Sequence, residues 1–119
     1  MRPQNGGWTR MMLAGAAVTA LLVASSSPVP AQPEAGPRIE IKAHGYGAPE
    51  VTVQPGTTVT WINHDEEPHT VTSTTDVFRS PGIDTDETYS HTFTQPGTYE
   101  YFCTLHPLMT GKVVVRSRS

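Results

Sequence analysis

The sequence predicts an all-β domain, a sandwich or barrel of about seven to eight short strands, preceded by an export signal. Three observations carry this. Apolar and polar residues alternate with period two in short runs from Ile39 to the end of the chain. The runs are punctuated by a chain-wide complement of 10 glycines and 11 prolines. Nothing after Ala31 sustains a helical period, and there are no internal repeats or heptads.

The elements follow in order. Arg2 and Arg10 give a positive start, and Met11 to Ala24 is an uncharged apolar run. That run falls short of the ~20 apolar residues a membrane span needs. The small residues after it end V-P-A-Q, so residues 1–31 read as a secretory signal peptide cut after Ala31. No Arg-Arg pair is present, which favours the general secretory route. Residues 32–37 read as a flexible lead-in and 38–119 as a single domain. I-E-I-K-A (39–43) alternates as a strand, and His44–Pro49 reads as a loop. E-V-T-V-Q (50–54), the turn Pro55–Gly56 and T-V-T-W-I-N (58–63) form the next hairpin-like unit. A short strand is expected over His69–Ser73, then a loop rich in Ser, Pro, Gly and Asp. T-Y-S-H-T-F-T (88–94), the turn Q-P-G, T-Y-E-Y-F-C (98–103) and K-V-V-V-R (112–116) complete the set. The alternation points Tyr99 and Tyr101 inward and Phe102 outward, and puts His91 inward with Tyr89 and Phe93.

The whole chain has a net charge of −3, and Arg2 and Arg10 leave with the signal, so the exported part is more acidic. That argues against nucleic acid and anionic membranes as partners, and no stable membrane insertion is expected after cleavage. The chain is expected to act as a monomer. Cys103 is the single cysteine, so no intramolecular disulfide is available. A lone thiol in an oxidising compartment needs burial or a ligand.

Cys103 stands in C-T-L-H-P-L-M, followed at three-residue steps by His106 and Met109. A thiolate, an imidazole and a thioether on one tight loop make a soft N/S site. With a second histidine they match the His2Cys plus weak axial Met set of blue-copper electron transfer. Met109 is the only methionine beyond the signal, so no other thioether competes. Of the five histidines, His69 is the candidate fourth ligand, because Pro68 stiffens the loop that presents it. His64, among Asp65, Glu66 and Glu67, reads as exposed; His91 reads as a partly buried structural residue; His44 has no evident partner. Zinc also uses Cys-x2-His, but a thioether at the axial position suits copper instead.

The segments W-I-N-x-x-x-x-P-H-T-V and G-T-Y-E-Y-F-C-T-L-H-P-L-M-T-G-K-V-V-V resemble the cupredoxin family of type 1 blue copper proteins. Within it they are most similar to the amicyanin branch, whose loop also runs Cys-x2-His-x2-Met. Plastocyanins and pseudoazurins share the fold with a longer His-to-Met spacing. The resemblance implies a Greek-key β-sandwich holding one copper ion on His69, Cys103, His106 and Met109. It also implies an electron carrier, not an enzyme, that cycles between Cu(I) and Cu(II) in the periplasm or outside the cell. Family members usually carry Asn directly after the first ligand histidine, where this chain has Thr70. That residue ties the two ligand loops together, with Thr104 as the expected partner here.

Further expectations come from the loop itself. Pro107 lacks a backbone N–H and cannot donate to the Cys103 sulfur, which should hold the potential low. Leu105, Pro107 and Leu108 around His106 form a candidate apolar docking patch for redox proteins, a dehydrogenase or a c-type cytochrome. Asp65, Glu66 and Glu67 are candidates for steering a basic partner. The competing function is copper delivery or resistance without redox turnover. The absence of Met/His-rich tracts argues against it.

Overall fold

The alternation resolves into eight strands: β1 (Glu34–Lys42), β2 (Gly45–Tyr46), β3 (Glu50–Val53), β4 (Thr57–Asn63), β5 (Thr72–Ser73), β6 (Thr88–Phe93), β7 (Gly97–Phe102) and β8 (Thr110–Val115). The computed structural model describes Gly6, residues 15–25 and residues 34–118. Arg2, Arg10 and the expected cleavage after Ala31 lie outside the described residues. Among the described ones, no helix is long and apolar enough to cross a membrane.

Two four-stranded sheets, ordered β2-β1-β4-β6 and β3-β8-β7-β5, pack into the all-β sandwich. The chain crosses between them repeatedly, which makes β1/β4 and β3/β8 parallel while the other pairs are antiparallel. Alternation is cleanest in β4, where Thr57, Val59, Trp61 and Asn63 are buried and the residues between them are half-buried. Ile39, Ile41, Val59, Trp61, Phe93, Tyr101, Val113 and Val115 fill the space between the sheets. Each such aliphatic side chain contributes roughly 1.5–3 kcal/mol by leaving water. Trp61 meets Tyr101 edge-on at 5.4 Å, which anchors the strand leading to Cys103.

Several local expectations change. β1 starts at Glu34, so residues 34–37 of the expected lead-in belong to the strand, with Glu34 paired opposite Thr57 and Ala35 opposite Thr58. A register shift between Ala35 and Arg38 carries Gly36 and Pro37 past β4, and this break in alternation hid the strand. Gly36 is needed there, because a Cβ would meet Thr57 Cγ2 and the Thr58 carbonyl. The expected loop His44–Pro49 contains β2, whose Tyr46 is buried and donates its hydroxyl hydrogen to the Thr70 carbonyl at 2.6 Å. The strand expected over His69–Ser73 shrinks to Thr72–Ser73. Its first residues are engaged elsewhere: the Thr70 N–H points at Cys103 Sγ and the Val71 N–H at Ser80 Oγ. Phe78 and Ile83, from the long polar loop, are both buried. Tyr101 is buried, Tyr99 half-buried and Phe102 half-buried. His91 is partly buried as expected, its ring 4.9 Å from Phe78 and 4.8 Å from Phe93.

Candidate metal centre

The hairpin of β7 and β8 builds most of the site. Phe102 pairs with Thr110, so the residues just inside that pair, Cys103 and Met109, are brought together. The Cys103 N–H donates to the Met109 carbonyl at 3.1 Å, and the Met109 N–H donates to the His106 carbonyl at 2.8 Å. The His106 N–H in turn reaches the Cys103 carbonyl at 3.2 Å. Three backbone bonds therefore close a seven-residue loop, which brings the Cys103 and His106 side chains together.

His69 arrives from the other sheet. Asn63, fully buried at the end of β4, donates from Nδ2 to the Glu67 and Ile83 carbonyls, both at 2.8 Å. Its Oδ1 accepts from the Asp65 N–H at 2.8 Å, so the turn after β4 is folded around one amide. His69 then exchanges backbone hydrogen bonds with Ile83 at 3.2 and 2.7 Å. Its Nε2 lies 2.7 Å from Asp65 Oδ2. With Nε2–H donating to that carboxylate, Nδ1 carries its lone pair towards Cys103. Burial raises the Asp65 carboxyl, but the His44 and Ala43 N–H groups and the His69 ring outweigh it and hold the group below its ordinary value.

Of the four expected ligands, His69, Cys103 and His106 bring their donor atoms together, and Met109 is placed by its backbone bonds to Cys103 and His106. His69 and Cys103 are fully buried, Met109 is 5% exposed, and His106 is half-buried at the surface. Cys103 Sγ lies 3.8 Å from His69 Nδ1 and 3.8 Å from His106 Nδ1. Bonds of ~2.3 Å to sulfur and ~2.0 Å to nitrogen, spread to about 120°, place S and N about 3.8 Å apart. The spacing therefore suits a trigonal His2Cys centre. The Thr70 N–H donates to Sγ at 3.3 Å. Thr70 Oγ1 accepts the Thr104 N–H at 2.8 Å, so the expected tie between the ligand loops is made by a hydroxyl.

A family profile described as a cupredoxin-like domain matches residues 13–115. The chain belongs to the cupredoxin-like family. It is 39% identical over 102 residues to amicyanin from Paracoccus versutus, covering 80% of this chain and 77% of that protein. It is 44% identical over 82 residues to amicyanin from Paracoccus denitrificans, covering 65% of this chain and 63% of that relative's length. A solved Cu(I) structure of a methionine-to-alanine amicyanin variant superposes with a TM-score of 0.64 at 42% identity, covering 66% of this chain and 80% of that one. Copper is the cofactor of this cupredoxin, and the soft S/N donor set of His69, Cys103 and His106 fits it.

Sequence reasoning missed His44. Far from partnerless, its ring lies 4.9 Å from the His106 ring and 5.5 Å from the His69 ring. Its Nε2 is 2.8 Å from Glu67 Oε2. The Glu67 hydrogen bond holds the His44 imidazole above its ordinary value and Glu67 below. The expected acidic steering run is also divided. Asp65 is committed inward to Ala43, His44 and His69, and Glu67 to His44, leaving Glu66 exposed with no such commitment. His64 is exposed, as expected, and reaches Glu40 at 3.4 Å.

Proposed function

We propose that this cupredoxin is an exported type 1 blue copper protein that carries single electrons between larger redox partners, with His69, Cys103, His106 and Met109 as ligands. The observation that supports it most is the buried Sγ equidistant, at 3.8 Å, from two imidazole nitrogens. Copper bound there supplies one-electron Cu(I)/Cu(II) chemistry.

The chain's own residues do the rest. Asp65 fixes the tautomer and orientation of His69, Thr70 donates one hydrogen bond to the thiolate, and Pro107 withholds another. The Thr70–Thr104 bond resists separation of the loops, which keeps reorganisation on electron transfer small. Four protein donors on one copper ion would leave no coordination position for a substrate, which suits a carrier and not an oxidase.

Electrons pass at the His106 edge, the half-buried member of the set. Leu105 and Leu108 beside it are 55% and 98% exposed, and exposed Pro107 joins them. This is the patch on which a dehydrogenase or c-type cytochrome docks, through a small and short-lived contact. Export to the periplasm is supported by the sequence pattern of Arg2 and Arg10 ahead of the uncharged apolar run from Met11 to Ala24.

The test is repeated reduction and reoxidation of the copper-loaded protein beside a Cu(I) chelator. A carrier returns to full colour through many cycles. Release of the ion at the first reduction would support copper delivery instead.

A further inference from the structure

His44 takes no part in the centre described above, yet it is held beside it at a conformational cost. Ala43 and His44 both have left-handed backbones, with φ of 49° and 56°, which non-glycine residues seldom adopt. Asp65 holds the turn by accepting both N–H groups, at 2.7 and 3.0 Å. The same carboxylate accepts His69 Nε2–H, so one side chain fixes an inner ligand and places His44.

The result is a second cluster outside the first. His44 Nε2 lies 2.8 Å from Glu67 Oε2, which lies 3.5 Å from His106 Nε2. Donor atoms of the three residues fall within 4.8 Å of one another, and all three side chains reach solvent. His106 therefore faces Cys103 with Nδ1 and this cluster with Nε2. Two imidazoles and a carboxylate suit Zn2+ or Cu2+, not the all-oxygen shells of Ca2+ or Mg2+. Metal bonds of ~2.0 Å in a tetrahedron set donors about 3.3 Å apart. The Glu67–His106 spacing already matches, and the His44–Glu67 pair needs to open by about half an ångström, within reach of exposed side chains.

We propose that His44, Glu67 and His106 form a surface site for Zn2+ or Cu2+ that is open in the metal-free protein and catches an incoming ion before it reaches Cys103. One neutral imidazole cannot give Nδ1 to an inner ion and an Nε2 lone pair to an outer one. Filling the inner site leaves a proton on Nε2, which is donated to Glu67, and so empties the outer site. The two sites share His106, but the outer one does not depend on the inner ion being a blue copper.

The test titrates Zn2+ into the metal-free chain carrying Cys103→Ser, following the ring nitrogen resonances of its histidines. The His44 and His106 Nε2 signals move together as one ion binds. His44→Asn, chosen because Asn tolerates the left-handed turn, weakens binding by about tenfold or more. A His44 ring that does not respond, or equal affinity after His44→Asn, overturns the proposal. Cu2+ loading of the chain with Cys103 intact gives a second reading: blue colour forms about tenfold more slowly with His44→Asn. Equal loading rates overturn the capture role. A loaded protein with no blue colour refutes the copper reading instead, and the Zn2+ titration then judges the outer site by itself.

Discussion

Replacing Thr70 by valine removes one hydroxyl from the seam between the ligand loops and changes almost nothing else. The side chains have nearly the same shape, and Thr70 is 7% exposed, so no cavity forms. Thr70 Oγ1 accepts the Thr104 N–H at 2.8 Å and lies 3.1 Å from the hydroxyls of Thr72 and Thr104. The Thr104 N–H is then left in a partly buried position without its acceptor. Such a loss costs about 1–3 kcal/mol. For a domain of this size each kcal/mol moves the unfolding midpoint by about 4–8 °C, so a fall of about 5–20 °C is expected. The assay is thermal unfolding of the metal-free protein, because a bound ion would mask the loss by stabilising the folded state. Thr70→Ser, which keeps the oxygen, should stay within about 1 kcal/mol of the parent. A valine variant as stable as the parent, or a serine variant as weak as valine, refutes the tie.

Pro107→Ala restores a backbone N–H on the loop as a second donor to Cys103 Sγ, which already accepts one from Thr70. A net hydrogen bond of about 1 kcal/mol to the thiolate corresponds to roughly 40 mV in a one-electron couple. The midpoint potential should rise by that order in voltammetry; an unchanged or lower value defeats the argument. His91→Phe should remove part of the acid sensitivity of folding. Burial holds the His91 imidazole below its usual 6.5, so the unfolded chain takes the proton first. Stability from this group is therefore lost as pH falls through 6.5 and levels off below the folded-state value. Denaturant titrations of the metal-free variant and parent should diverge least at neutral pH and progressively below it; a constant difference excludes the effect. Leu108→Ser, at a position 98% exposed, should change stability by less than ~0.5 kcal/mol. It should slow electron transfer to a c-type cytochrome and leave transfer to a small inorganic oxidant unaltered. Equal slowing with both would remove Leu108 from the docking surface.

The approach of Cys103 and His106 was legible because both sit on one hairpin loop, where spacing alone brings side chains together. His69 was legible through Pro68 and the strand that precedes it. The alternation of β4 and β7 likewise announced Trp61, Tyr101 and their faces. What the sequence concealed depends on long-range backbone geometry. His44 approaches His106 only because two left-handed residues turn the chain and Asp65 pins them across 22 positions. β1 was cut short in the reading because Gly36 and Pro37 mimic a linker while the chain pairs through a bulge. Phe78 and Ile83 lie in a polar loop with no period to follow, so their burial depends on contacts that no local pattern records. Asn63 looked like the last residue of a strand, and only the fold gives its amide three backbone partners.

The central claim is that Cys103, His69 and His106 hold copper through a short Cu(II)–thiolate bond. The visible spectrum of the copper-loaded, oxidised protein tests it most directly. An intense absorption near ~600 nm that disappears on reduction is the predicted result. A colourless protein that nevertheless binds copper stoichiometrically would contradict the account.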